Sequence, residues 1–373
     1  MVRPGRPLAP PAAGAPGRLR PGDRAASQLS GRSVSGAGGM IIASPSAAVG
    51  MSRVTVRLPR AVEPVDDVLA RAGHSPVERR MFTRVYGLRD STVLAPWERL
   101  EDLLSAAGEA ALGADRADLV LYGHTLPVQE CGVGTRFAER MRTRLSTPAG
   151  RFYGISHVGC TSVLRCLELA QRFLGRPGAR PDEQVLVLGG DHGSLLDEAR
   201  ILPRTTVASD TAVAVRVTPL PMDGPVAGTA PRYRLAALAH ARDTRFHRNL
   251  RMSQEEFAAY GQACGALVRR VMEEAAARVG TTAADLDWIM PHMSNAVFWK
   301  AVARATDIPR ERICLDLLPE VGHGFGTDAL MALEHADRTR RLRPGDRCAL
   351  VSIGQGAYFT AAVVEVQDET EGT

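Results

Sequence analysis

From Met40 onward the chain alternates between short, nearly all-apolar runs and longer stretches in which apolar residues return every three or four positions. The first kind predicts strands and the second amphipathic helices. Runs at 118–125, 184–191 and 211–218 predict strands, while helical spacing covers 62–72, 76–83, 97–112, 134–145 and 162–174. A Pro- and Gly-punctuated junction at 219–232 follows, and then the rhythm returns. Strands are expected at 235–241, 287–292, 348–357 and 358–366, and helices at 255–279, 296–305 and 329–336. A strand-helix-strand order implies parallel pairing with right-handed crossovers. Two such series imply a duplicated α/β unit, with halves at 40–219 and 232–366 and a tail at 367–373. Ligands of such sheets gather beyond the C-terminal ends of the strands.

Residues 1–39 lie outside this pattern. They are rich in Pro, Ala, Gly, Ser and Arg and almost empty of large apolar residues, the composition of a disordered tail or of a start codon set upstream of Met40 or Met51. The same segment imitates a transit peptide. It also explains the charge. Residues 1–50 carry six arginines against one acid, which accounts for the whole net charge of +5, so the body is neutral and the basic balance argues no nucleic-acid partner. No apolar run is long enough to span a membrane. The six cysteines (Cys131, Cys160, Cys166, Cys264, Cys314, Cys348) show no Cys-x-x-Cys spacing. That pattern opposes a zinc site or disulfide framework and fits a reducing cytoplasm.

The candidate chemistry sits where strands give way to turns. Cys160 occupies the turn between a short strand and the helix at 162–174, where Thr161 and Ser162 are expected to cap the helix. Unpaired N–H groups and the helix dipole there favour a thiolate. His292 follows the apolar run 288–290, and His323 lies in the glycine-rich turn Val321-Gly-His-Gly-Phe-Gly-Thr-Asp328. Gly354-Gln355-Gly356 ends a strand with backbone amides free to face an oxyanion. A thiol, two imidazoles and an N–H pair form the inventory for acyl transfer from a thioester. His124, His157 and the Asp191-His192 pair also sit at strand ends, and residue types alone leave a Cys/His protease open.

In order along the chain, Tyr86-Gly-Leu-Arg89, Gly159-Cys160-Thr-Ser, Ser209-Asp-Thr-Ala, Pro291-His292-Met-Ser-Asn295 and Gly354-Gln-Gly356 resemble the motifs of the thiolase superfamily. Within it the resemblance is to the β-ketoacyl-acyl-carrier-protein synthase III-like enzymes and covers roughly residues 41–366. It implies a thiolase-like fold, two duplicated α/β halves in a layered αβαβα core. It implies Cys160, His292 and His323 as catalytic residues, with backbone amides of Cys160, Gln355 and Gly356 at the oxyanion. Asn295 and Phe325 are then possible substrate-lining residues, and Phe137, Phe152, Met252, Phe257 and Phe298 further candidates. No metal or redox cofactor is implied. Acyl-coenzyme A or an acyl carrier protein would be the partner, docked on arginines such as Arg245, Arg248 and Arg251, and the protein would be a cytoplasmic homodimer with 124–134 near the partner's site. One motif departs: the family's usual Gly-Asn-Thr-Ser is replaced by Gly322-His323-Gly-Phe. Decarboxylative condensation in fatty-acid or polyketide-type biosynthesis is the first expectation. The alternatives are acyl transfer to a hydroxyl or amine without decarboxylation, and a non-catalytic partner subunit of a synthase.

Overall fold

The computed structural model describes residues 48–127, 136–147, 151–220, 231–247 and 251–368. The tail at 1–39, Cys131, Arg248, most of the junction at 219–232 and residues 369–373 lie outside the described residues.

Ten strands form one sheet: β1 (Val49–Met51), β2 (Thr55–Arg57), β3 (Leu119–Gly123), β4 (Phe152–Ile155), β5 (Val185–Asp191), β6 (Thr211–Pro219), β7 (Tyr233–Arg242), β8 (Trp288–Met290), β9 (Arg347–Gly354) and β10 (Tyr358–Val366). Their order is β8-β9-β10-β7-β1-β6-β5-β3-β4, with β2 paired to β6. Pairing is parallel where a helix intervenes in the chain, at β3–β4, β3–β5 and β8–β9. Where the sequence sets two strands in succession with no helix expected between them, pairing is antiparallel. β9 and β10 are joined by residues 355–357 alone, too short a link for a crossover, so they form a hairpin. β5 and β6 are likewise antiparallel, with Asp191 opposite Thr211.

The principal helices are α1 (Leu100–Leu112), α2 (Phe137–Arg144), α3 (Ser162–Leu174), α4 (Gln254–Ala277), α5 (Ala296–Thr306) and α6 (Asp328–Arg338). α3 packs on β3 and β5 of one half of the sheet and on β9 and β10 of the other, with α6 on β8 and β9, so these two helices form a central layer. α1 covers β5 and β6 from one outer side, and α4 covers β7, β9 and β10 from the other. The strands therefore bury both faces, which is why they read as continuous apolar runs. In β5, Val185 and Val187 join the central core while Leu186 and Leu188 join the outer core with Leu104. In β9, Cys348 and Leu350 face the centre while Ala349 and Val351 face α4. This is the layered αβαβα arrangement of a thiolase-like fold. The helix expected over 62–72 begins only at Val65, because Pro64 cannot extend a helix backwards and Ala61–Pro64 pairs as a strand instead. Among the described residues, no helix is long and apolar enough to cross a membrane.

Candidate active site

Cys160 lies in a single tight turn, Gly159–Thr161, directly before α3. Gly159 takes φ of 58°, and a Cβ on it would sit 3.0 Å from the Gln355 backbone N. A Cβ on Gly354 would lie 2.3 Å from the Val158 carbonyl oxygen and 3.3 Å from the Cys160 backbone N. The Cys160 turn and the end of β9 thus touch backbone to backbone, and glycine on both sides is what permits it. Ser352 adds a hydroxyl that donates to the Cys160 carbonyl at 2.6 Å. The capping expected of Thr161 and Ser162 is not what these side chains do. Thr161 has φ of −80° and ψ of −5°, not the extended backbone of an N-cap. Its hydroxyl donates back to the Val158 carbonyl at 2.7 Å, and that of Ser162 to Gly159 at 2.6 Å. Both tighten the turn that presents the thiol.

His323 arrives from the other half. Gly322, with φ of 71°, turns the chain so that the His323 carbonyl accepts from the Ser209 N–H at 2.7 Å. The ring is fully buried. Its Nδ1 lies 2.6 Å from Asp328 Oδ2, and its Nε2 lies 3.8 Å from Cys160 Sγ. A carboxylate only accepts, so Nδ1 carries the proton and Nε2 faces the thiol with its lone pair or second proton. Asp328, 2% exposed, opens α6 and also accepts the backbone N–H groups of Gly324 and Met293, each at 2.7 Å. Burial alone would lower the pKa of His323, but the Asp328 carboxylate and the Cys160 sulfur more than reverse it, and the ring is raised to about 10.

His292 follows β8, and its carbonyl accepts the indole N–H of Trp299 at 2.6 Å. The two imidazoles meet edge to face, with centroids 4.5 Å apart. His292 Nδ1 is buried without a hydrogen bond and stands 3.5 Å from Asp328 Oδ2. Burial, followed by the charge on His323, pushes its pKa well below 6.5, so it is the neutral member of the pair. His292, His323 and Asp328 present donor atoms within 4.8 Å of one another. His323 Nδ1 and Asp328 Oδ2 are committed to each other, however, so the set forms a proton network, not an open ligand shell.

A cavity of about 80 Å³ opens in front of Cys160, walled by His292, Gln355, Gly354, Met252, Phe257 and Tyr260 among others. The Arg204 guanidinium, on the same wall, lies 4.2 Å over the Phe257 ring. Of the residues expected on the oxyanion turn, Gln355 reaches this cavity, and Gly356 is the next residue in the turn. Asn295 is spent elsewhere: its amide donates to the Thr205 carbonyl at 3.1 Å and accepts from Phe298 N at 2.8 Å, capping α5. Phe325 packs with Cys160, Ala208 and Leu126 and does not line the cavity. Of the further aromatic candidates, Met252 and Phe257 line the cavity. Phe137 and Phe152 instead cluster with Tyr122, and Phe298 lines a groove between α4 and α5. A larger cleft of about 810 Å³, lined by Glu63, Arg71, Asp197 and Arg200, contains none of the catalytic candidates. His124 stacks on Tyr122 at 4.7 Å, Asp191 holds the Thr125 and Leu126 N–H groups, and His157 is exposed, so none joins the Cys160 cluster.

Sequence reasoning assigned no role to Asp328, although it stands five residues after His323 in the same glycine-rich motif. An acid opening a helix reads as a favourable dipole partner and nothing more.

The order of layers is that of a thiolase-like fold, and in it a thiol at a helix start meets two histidines. The family profile for the 3-oxoacyl-[acyl-carrier-protein (ACP)] synthase III C terminal matches residues 276–366. The β-ketoacyl-[acyl-carrier-protein] synthase III 3 of Streptomyces coelicolor is 28% identical over 322 residues, covering 78% of this chain and 92% of its own. That of Rhodospirillum centenum is 27% identical over 301 residues, covering 74% and 87%. Solved structures with this fold include 3-oxoacyl-(acyl carrier protein) synthase III of Pseudomonas aeruginosa (TM-score 0.69, 22% identity, 86% of this chain and 99% of that one). The acyltransferase ChlB3 superposes with a TM-score of 0.72 at 18% identity, covering 87% of this chain and all of its own (100%). Over most of its length the chain is thus similar to β-ketoacyl-acyl-carrier-protein synthase III enzymes, on a thiolase-like fold.

Proposed function

We propose that the protein is an acyltransferase that carries an acyl group as a thioester on Cys160 and passes it to a hydroxyl or amine without decarboxylation. The observation that carries this reading is the line Cys160 Sγ, His323, Asp328, with separations of 3.8 Å and 2.6 Å. A carboxylate behind an imidazole fixes its tautomer and stabilises the imidazolium, which makes the ring a base. In the first half-reaction the proton of the Cys160 thiol is already held on His323 Nε2, and Sγ attacks the carbonyl carbon of an acyl-coenzyme A or acyl-carrier thioester. The Cys160 amide and the Gln355–Gly356 turn face the oxyanion. Collapse expels the donor thiolate, which takes the proton from His323. In the second half-reaction an imidazole accepts the acceptor's proton as its oxygen or nitrogen attacks the Cys160 thioester, and the Cys160 sulfur leaves and is reprotonated. His292, neutral and on the cavity wall, is placed to orient that acceptor.

Decarboxylative condensation is the second reading. It is favoured by the edge-to-face pair of imidazoles beside Cys160, which together suit the oxygen of an enolate. Asp328 is what places it second, because an enolate needs donors and gains nothing from a stronger base. Intact-mass detection of an acyl adduct tests the shared first step and separates both readings from a silent subunit. The second step is tested by offering the loaded protein malonyl-carrier protein or an alcohol or amine acceptor. Release of carbon dioxide would overturn the first reading in favour of the second.

A further inference from the structure

We infer that Tyr260 binds the acceptor of the second half-reaction and selects a hydroxyl over an amine, an inference that rests on the acyltransferase reading above. Tyr260 is on α4, whose start is fixed by a capping box. The Ser253 hydroxyl accepts the Glu256 N–H at 3.1 Å, and Glu256 Oε2 accepts the Ser253 N–H at 2.7 Å. Phe257, Tyr260 and Cys264 recur at helical spacing and share one face of α4. Phe257 and Tyr260 line the cavity with Cys160 and His292, and Cys264 is buried. The Tyr260 ring is held edge-on by Phe246, with centroids 5.3 Å apart. Its hydroxyl donates to the Cys264 sulfur. Burial, followed by Cys264 and the Cys160 sulfur, raises the phenol's pKa well above 10, so it keeps its proton throughout the neutral range.

A thiol sulfur is a weak acceptor, and a buried tyrosine hydroxyl ordinarily finds a good hydrogen-bond partner. The phenol is therefore placed to exchange Cys264 for a better acceptor that enters the cavity. The acyl donor supplies none at the reacting position, because the atom that leaves the acyl carbon there is again a sulfur. The acceptor attacks from the place the donor sulfur vacated, and it brings an oxygen or a nitrogen. A hydroxyl oxygen has two lone pairs. One accepts a hydrogen bond from Tyr260 while the other forms the new C–O bond. The acceptor's own proton passes to an imidazole, the C–Sγ bond of the thioester breaks, and Cys160 regains that proton. An uncharged amine has a single lone pair, which the new C–N bond uses, so a hydrogen bond from the phenol to that nitrogen would block its attack. The imidazoles take a proton from either class alike, and the discrimination falls to Tyr260.

The test loads the full chain from acetyl- or octanoyl-coenzyme A and then offers ethanol or methoxyamine. These acceptors are alike in size, and the methoxyamine nitrogen is unprotonated at neutral pH. Loss of the Cys160 adduct beyond hydrolysis in water, and formation of ester or amide, are followed by mass. In Tyr260→Phe, transfer to ethanol is expected to fall roughly tenfold or more, while loading and transfer to methoxyamine change by no more than about twofold. Cys264→Ser, which gives the phenol a stronger acceptor on its own helix, is expected to slow ethanol transfer severalfold and to spare methoxyamine. An equal fall with both acceptors, or no fall with either, in Tyr260→Phe with native circular dichroism overturns the inference and leaves the thioester reading intact. So does a fall in loading as large as the fall in transfer. A parent protein that loads but passes its acyl group to neither acceptor overturns the acyltransferase reading and this inference with it. Absence of any adduct overturns the thioester step on which both depend.

Discussion

At the scale of single residues, the carboxylate of Asp328 decides what kind of group His323 is. With its pKa raised from 6.5 to about 10, His323 contributes stability that is complete below about 6.5 and lost as pH climbs through about 10. His292, lowered by burial, acts in the opposite sense: its contribution is present above 6.5 and is lost as pH falls toward its depressed folded value. Melting temperature should thus decline on both sides of neutrality. His323→Asn, an amide that does not titrate, should flatten the alkaline limb between pH 7 and about 11 while leaving the acid limb in place. An alkaline limb unchanged in that variant would show that His323 is not the group titrating. Asp328→Asn should slow acyl loading by about a hundredfold, since it removes the group that makes the base strong. Cys160→Ala should abolish the adduct altogether, and persistence of an adduct would place the acyl group elsewhere. Cys160, His292 and His323 stand out in the sequence because each falls at a glycine- or proline-marked turn beside an apolar run, and the fold brings the three together. Asp328 does not, because its role depends on contacts with residues 292, 293 and 323 that only the folded chain brings together.

At the scale of elements, helical and strand periods identified nearly every strand and helix of the core, because burial on both sheet faces leaves continuous apolar runs. The pairing directions were less legible. They depend on link lengths, and the three residues between β9 and β10 force a hairpin. Glycine positions divide in the same way between those that matter and those that do not. Gly354→Ala would drive a Cβ to 2.3 Å from the Val158 carbonyl oxygen beside the Cys160 turn. Backbone cannot yield as a side-chain tip does, so a loss of about 1–3 kcal/mol in urea unfolding is expected, together with impaired loading. Gly265, inside α4, has nothing within 4 Å of its ideal Cβ. Gly265→Ala should stabilise by about 1 kcal/mol and leave loading unchanged. If both substitutions behaved alike, the contact between the 158–160 turn and the end of β9 would not be the constraint argued above.

At the scale of the molecule, the sheet stops at β4, whose outer edge pairs with no strand among the described residues. A bare edge is a template for another strand, and proteins that leave one exposed commonly shield it with charge or proline. β4 reads Phe-Tyr-Gly-Ile, with neither, and its Tyr153 is 56% exposed. The chain just after β3, at 124–127, runs beside the same end of the sheet, and its continuation to 134 is the segment the family resemblance sets near a partner's site. The expectation is a homodimer built across β4, so that one protomer's 124–134 segment reaches the other's active-site region. Sedimentation at micromolar concentration should give a dimer. Tyr153→Glu places two like charges across the symmetric contact and should shift the population toward monomer, more strongly at low salt than at high. Loading of Cys160 should fall in step with the dimer fraction, since a monomer would lack the partner's segment. A fully active monomer in the parent protein would sink the proposal. A monomeric variant that loads at the parent rate would keep the dimer but remove its role at the site.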